Sequence, residues 1–540
     1  MTKNIAYCEE KDLDTKKNAE ELLENATIVT SGEVGTASRA RVNASGHVDQ
    51  LDRQYGLLSI CATALTIDNA WVALGGSITV AVANGGAPGI IYEFLASSVY
   101  YGFVAMSIAE LASSIPSAGG VYHWSSVAGG NYGRSIASLL TQTLTYRAGL
   151  INFYGWLFAL ASGVLIPANV VVQMYVVFHP DVLVQPWHIF VAFVLINWIC
   201  CLTVIFFNRY MPALQRFGLF MIIVGGLVTI IVLASAKSHA SASFVFTDWE
   251  NGTGWPGGVA FVTGMLNGAF AIGTPDSVTH MAEELPHPRT DLPKAIAAQI
   301  LLGALTGFVY AVALMFSVTD LDAVLNSNGS FPLAVVYAQA TGNKAGTFGL
   351  LLIVLLSIMI AIFGGFITTG RIYWALARDN VTPFSSFFSQ ASALLSCPVP
   401  ATLFCAILTT ALGAVQLGSK TALADLGGSF IILSTTSYAM AILPHILSGR
   451  KNVPQGPFWM GRAGFFVNTM SVLLIVFTNA IFCLPYALPA TVPAMNYNSV
   501  ILIGCVALTT FWWIIHGRTQ YPGPRLPHLD AAGHKIDDEI

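Results

Sequence analysis

Charge is what this chain lacks most. Of 540 residues, 10% are Asp, Glu, Lys or Arg, against roughly 25% in an ordinary soluble domain. A soluble enzyme or a disordered chain of this length would need far more. The net charge of −4 leaves no basic footprint for nucleic acid. The eight cysteines form no CxxC or Cys/His spacing and most lie in apolar runs, so they read as small buried hydrophobes, and no metal site or cofactor is expected. No phosphate-cradling GxxxxGK[ST] loop is present, so ATP-driven transport lacks its engine. Neither H-E-x-x-H nor G-x-S-x-G appears, so no enzyme is expected. The first apolar run begins only after Tyr55, so no N-terminal signal peptide is expected.

What is abundant is apolar: 55% of residues are hydrophobic and the mean hydropathy is +0.66. Of 28 acidic residues, ten precede Tyr55 and four follow Tyr521, leaving 14 for the long middle. The expected organisation is a disordered cytoplasmic tail over 1–54, a membrane domain over 55–517 and a cytoplasmic tail over 518–540. A helix needs about 20 apolar residues to cross the hydrocarbon. Twelve such runs are found, near 57–83, 88–112, 146–175, 188–207, 212–235, 258–282, 293–318, 346–374, 398–417, 422–447, 463–485 and 496–516. The predicted class is therefore an all-α polytopic membrane protein. With the N-terminus inside, eleven loop Lys and Arg fall on the inner side and three on the outer, which predicts that both termini are cytoplasmic. Twelve spans with no engine predict a secondary transporter in the lipid bilayer.

In such carriers the site commonly lies where helices are interrupted near mid-membrane. Two spans carry acids there. Span 1 reads Thr66-Ile67-Asp68-Asn69-Ala70-Trp71, and a carboxylate at that depth costs roughly 2.5–3.5 kcal/mol on insertion scales, so it should face the bundle interior. Asn69 favours a local side-chain bond to backbone over the helical one. Span 6 reads Phe270-Ala-Ile-Gly273-Thr274-Pro275-Asp276, with His280 one turn on and Glu283-Glu284 closing the span. Pro275 removes one N–H and blocks the carbonyl four residues earlier. These breaks lie five spans apart, so two inverted five-helix repeats plus two extra C-terminal helices are expected. Blander roles stay open: Asp68 and Asp276 could serve packing, His280 could be an ordinary interior histidine, and Gly264xxxGly268 and Gly303xxxGly307 read as close-packing faces.

Four stretches carry a family resemblance. Ala109-Glu110-Leu111 followed by Pro116, Gly119-Gly120, Tyr122 and Trp124 resembles the segment after span 2 in the amino acid–polyamine–organocation superfamily. Asp276, His280 and Glu283-Glu284 resemble its D-A-x-x-H-x-x-E-E end of span 6, typical of the fungal and bacterial amino acid/choline branch. Arg371, Tyr373 and Arg378-Asp379 are similar to its S-R-x-x-Y-A-x-A-R-D end of span 8. The span 1 motif resembles the branch's S-I-T-N-S-W, with Asp68 where the branch commonly has Thr. Thr274-Pro275 likewise stands where T-G-[FY] is usual. The resemblance covers roughly residues 50 to 520 and the overall pattern looks fungal.

It implies a central site between the breaks of spans 1 and 6 and a cargo among choline, 4-aminobutyrate, polyamines and neutral amino acids, often moved with protons across the plasma membrane. On these grounds Thr66, Asp68, Asn69, Trp71, Phe270, Gly273, Thr274 and Asp276 are the expected substrate-binding residues. An ammonium pairs with a carboxylate, and a quaternary one also stacks on aromatic faces. Asp68, Asp276 and His280 are the candidate proton carriers. Glu110, Arg134, Glu283, Glu284, Arg371 and Arg378 are candidates for a cytoplasmic gate of ion pairs, or simply for topology retention. The alternative is a nutrient sensor that binds such a solute with little transport. The N-tail lysines Lys3, Lys11, Lys16 and Lys17 offer sites to a ubiquitin ligase.

Overall fold

The computed structural model describes residues 50–78, 82–130, 136–325, 331–419, 421–492 and 495–524. Arg134 and the tail lysines lie outside them, as does most of both tails. Among the described residues there is no strand, only one isolated bridge between Ser392 and Cys397.

Among the described residues, ten helices are long and apolar enough to cross a membrane. One of them, Pro186–Ala234, is two spans, Pro186–Phe207 and Met211–Ala234, joined by a single 3-10 turn at Asn208–Tyr210. The shorter Gly257–Ile272 completes the twelve runs expected. The chain is thus an all-α polytopic membrane protein of the kind expected. Two boundaries move. Span 3 runs Ile136–Val176, starting ten residues early, because residues 136–145 mix Leu and Ile with Thr and Ser and contain no Gly or Pro to stop a helix. Span 2 is Val82–Ser114, reaching back over residues expected to be loop; Gly86 at φ 61° supplies the kink there, a conformation open to a residue without Cβ.

Burial separates centre from rim. In spans 1, 3 and 8 the most apolar window is 72% buried within the protein, against 17% in span 12. Spans 4, 5, 11 and 12 turn Leu195, Phe206, Phe220, Leu227, Phe466, Leu473, Ile503 and Phe511 outward. Large exposed apolar side chains on a helix with a satisfied backbone are what a lipid-facing surface requires. The centre instead buries Trp71, Trp124, Trp156 and Trp374. Span 10 packs along span 3, span 6 (Gly257–Ile272) along span 2, and span 8 along span 3. The broken spans therefore sit inside a sleeve of unbroken ones.

Both expected breaks are present. In span 1 the helix Leu57–Asp68 ends and Ala70–Gly76 begins, with Asn69 alone at φ 37°, ψ 52°. Its N–H donates to Leu65 O, and its own carbonyl accepts from Val72 and Ala73, so the second helix starts at once. The side chain of Asn69 has no hydrogen-bond partner among the described residues. The expected side-chain bond is not what breaks the helix. Asn instead tolerates the left-handed region, which few L-residues enter.

The span 6 break is longer. The helix Gly257–Ile272 stops at Gly273, and a 3-10 helix resumes only over Thr279–Glu284, after turns closed by Ser277 N–H to Thr274 O and Thr279 N–H to Asp276 O. A side chain at Gly273 would meet the Ala269 carbonyl, Ile431 and the Tyr101 hydroxyl, so the turn needs glycine there.

Candidate functional site

The two breaks lie against each other, and the contact is made by Asp68. Its Oδ1 accepts from Thr274 Oγ1 at 2.9 Å and from Gln299 Nε2 at 3.1 Å. Gln299 Nε2 also donates to the Thr274 carbonyl at 2.9 Å, which tethers the span 6 break to span 7. Asp68 Oδ2 has no hydrogen-bond partner among the described residues. Gly303 lies beside it, and a Cβ there would stand 2.8 Å from that oxygen. The glycine pair of span 7 thus does more than pack: Gly307 does admit the Phe94 ring, but Gly303 makes room for a carboxylate.

Asp68 and Thr274 line a cavity whose walls include Trp156, Phe270 and Phe430. It has about 60 Å³ of room for the centres of water-sized spheres, where one water needs roughly 10–15 Å³ by the same measure. That suits a small head group. Phe270 and Phe430 stand edge to face, with centroids 6.4 Å apart at 81°, and Trp156 is tilted at 52° to Phe430 with centroids 6.0 Å apart. One side of the cavity is therefore a carboxylate and another a set of aromatic rings, the two features that attract an organic cation.

Asp276 has a different setting. It does not line that cavity, and its side chain is wholly buried. Oδ1 accepts from Tyr438 OH at 2.6 Å, Oδ2 accepts from Asn152 Nδ2 at 2.9 Å, and Trp156 Nε1 lies 3.1–3.2 Å from both oxygens. His280 Nε2 is 3.3 Å from Oδ2, while His280 Nδ1 is 2.8 Å from the Ala118 carbonyl. A carbonyl can only accept, so Nδ1 carries a proton. The contact between Nε2 and Oδ2 then needs a second proton, held by one side or the other. The pair shares one proton across this contact and ties the span 6 break to the segment after span 2.

The other expected binding residues point elsewhere. Thr66 Oγ1 bonds to Thr63 O and to Gln215 Oε1 of span 5. The Trp71 ring lies 5.2 Å from that of Tyr310, with its indole edge toward Gly226. Neither these two nor Asn69 and Gly273 are among the cavity-lining residues; they shape the two breaks.

At the end of the bundle where cytoplasm is expected, ion pairs tie span 6 to span 8. Arg371 Nε donates to Glu284 Oε1 at 2.8 Å with both side chains buried. Arg378 grips Glu283 through both oxygens at 2.6 and 2.9 Å, and its guanidinium lies 3.9 Å above the Trp374 ring. Gln54 Nε2 donates to Glu284 Oε2 at 2.9 Å and Tyr55 N–H to the Glu284 carbonyl at 3.2 Å. Glu110 is not part of this cluster. It pairs with Arg450 of the loop after span 10 and accepts from Asn468 Nδ2 at 3.1 Å, so it clamps spans 2, 10 and 11. Tyr521 donates to Tyr122 OH at 2.8 Å, which brings the start of the C-tail to the same end.

Sequence reasoning missed Asn152, Trp156, Gln299, Phe430 and Tyr438. Asn152 and Trp156 stand one helical turn apart in span 3, and Gln299 interrupts an apolar run, so polar residues inside spans were the available signal.

A bundle of membrane helices with two interrupted spans meeting at a mostly apolar cavity that holds a carboxylate has the architecture of APC-type carriers. Comparison with known proteins agrees. The amino acid permease family model matches residues 56–506, and the chain belongs to that family. It is similar to the choline transporter of Saccharomyces cerevisiae, 33% identical over 492 residues covering 90% of this chain and 85% of that one. It is also similar to the 7-keto 8-aminopelargonic acid transporter of the same yeast, 26% identical over 84% of this chain and 90% of the relative. Amino-acid permease BAT1 of Arabidopsis thaliana is 25% identical over 92% of this chain and 97% of its own length.

Proposed function

We propose that this protein is a secondary active transporter that moves a small amine-bearing solute (choline, an amino acid, 4-aminobutyrate or a polyamine) across the plasma membrane by alternating access, with protons and with both termini cytoplasmic. The observation that carries the reading is the Asp68 carboxylate, with one oxygen anchored by Thr274 and Gln299 and the other without a partner among the described residues, in a cavity walled by Trp156, Phe270 and Phe430.

In this reading Asp68 pairs with the ammonium, while the aromatic rings receive its alkyl groups. The cation supplies the partner that a buried charge requires. Asp276 and His280 form the central proton unit. Losing their shared proton leaves a carboxylate facing the imidazole lone pair of Nε2, so protonation state and the shape of the span 6 break are linked. Glu283, Glu284, Arg371 and Arg378 form the inner gate, whose two ion pairs must part for release.

The test is uptake into proteoliposomes of labelled choline, 4-aminobutyrate, putrescine and neutral amino acids, with and without an inward acid gradient. At least one cationic solute is expected to accumulate, and only with the gradient. Uptake of cations by Asp68→Asn at the wild-type rate at every pH would sink the assigned role of Asp68. Saturable binding without accumulation would move the reading to a sensor.

A further inference from the structure

Span 2 carries one more acid at membrane depth, Glu93, which plays no part in the site above. Its side chain is 1% exposed. Neither oxygen has a hydrogen-bond partner among the described residues. Both face the backbone of span 6, and a Cβ at Gly264 would collide with them, while one at Gly89 would stand 3.4 Å from Oε1. The glycines let the two helices close over the carboxyl. Hydrogen bonds clasp the contact on either side: Asn84 Nδ2 donates to the Ala260 carbonyl at 3.0 Å and to Thr263 Oγ1 at 2.7 Å, and Ser97 Oγ donates to the Met265 carbonyl at 2.8 Å.

Charged neighbours do not explain the residue. The facing helix Gly257–Ile272, the short helix Ala242–Phe246 and span 11 (Ala463–Phe482) contain no Asp, Glu, His, Lys, Arg or Tyr. The loop between the first two brings Asp248 and Glu250 against Gly86, further acids rather than a counter-ion. On span 7, Tyr310 is bonded to Tyr337, and Arg289, Asp291 and Lys294 stand at its opposite end. On span 10, Asp425, Tyr438 and His445 face Tyr486, Asp276 and Glu110 respectively. An ionised carboxylate without partner or water is expensive, and the neutral acid is far less so. The closed contact therefore selects the protonated form, and an opened one, admitting water, tolerates the charge.

We infer that Glu93 is a proton-binding site of the transport cycle, holding its proton while spans 2 and 6 are closed on each other and exchanging it with water when that contact opens. It rests on the reading of proton-coupled transport given above. It differs from the central Asp276–His280 unit in having no side chain that shares the proton, so helix separation itself controls release.

The experiment uses full-length protein in liposomes, with labelled choline or whichever solute of the panel the wild type carries. In Glu93→Gln, which keeps a neutral side chain of the same shape, accumulation driven by an inward acid gradient should fall by about tenfold or more, while solute counterflow without a gradient persists. Dicyclohexylcarbodiimide, which modifies protonated carboxyls in apolar settings, should label the wild type at Glu93 by peptide mass spectrometry and label it less as pH rises. Gradient-driven accumulation equal to wild type in Glu93→Gln, or a Glu93 that resists the reagent at every pH, overturns the inference. Wild-type accumulation that ignores the acid gradient removes the proton reading itself and this site with it. Accumulation that follows sodium instead, and is lost in Glu93→Gln, reassigns the residue to a metal cation and also overturns it.

Discussion

Asp68 and Asp276 look alike in the chain, each an acid at a break in an apolar span, yet their surroundings are opposites. Asp276 is enclosed by Tyr438, Asn152, Trp156 and His280. Among the described residues Asp68 has donors on one oxygen only, and it faces the cavity. The breaks differ in the same sense. Span 1 is interrupted by one left-handed residue, Asn69, and resumes immediately, whereas span 6 stays open from Gly273 to Val278. The longer gap exposes more backbone and needs more tethers, which Asp276, His280 and Gln299 provide. An acid whose hydrogen bonds are all made inside the protein serves the framework; an acid with an oxygen left over is available to a ligand.

The contrast can be broken experimentally, and the largest expected effect is on transport. Asp68→Asn should lower cation uptake by about 100-fold or more, equivalent to about 3 kcal/mol, with thermal unfolding of the detergent-solubilised protein unchanged or shifted upward, since an unpaired buried charge is removed. Asp276→Leu should do the reverse to the framework: with Asn152, Trp156 and Tyr438 left without their acceptor, a loss of about 3–5 kcal/mol is expected, seen as a lower melting temperature by differential scanning fluorimetry. A pair of variants with matching melting temperatures would erase the distinction.

The inner gate sharpens it further. Arg371→Gln alone strands Glu284 in a buried site and should destabilise by about 3 kcal/mol, while Arg371→Gln with Glu284→Gln should recover much of that, as read by a double-mutant cycle on melting. Non-additivity near zero would deny the pair its role. The smallest effect is expected at Trp71, whose ring faces Tyr310 and not the cavity. Trp71→Phe should keep uptake close to wild type and cost about 1 kcal/mol or less of stability. A large rise in KM there would place Trp71 at the substrate after all.

Much was legible in the chain because a membrane imposes simple rules. Hydrocarbon admits no unsatisfied backbone, so long apolar runs had to be helices, and Gly273, Thr274 and Pro275 together had to interrupt one. Asp68, Thr274 and Phe270 were found this way and do line the cavity. Asn69 was picked out for the wrong mechanism, since backbone conformation and not its side chain turns the chain there. Glu110 was grouped with the gate because its neighbours in sequence resemble a loop at that end, but its partner Arg450 lies 340 residues on. Trp156 was hidden among 61 aromatic residues, most of them packing, and nothing local distinguishes the one whose indole N–H meets a carboxylate.

The sequence by itself determined the class of protein, the number of spans, the positions of both breaks and two of the acids at membrane depth, Asp68 and Asp276, since each follows from local composition and the cost of taking polar groups out of water. Only the tertiary structure decided which of those acids is satisfied. That depends on donors contributed by spans 3, 7 and 10, and whether Tyr438 reaches Asp276, or no described residue reaches Glu93 and Asp68 Oδ2, is a matter of distances between residues that are remote along the chain.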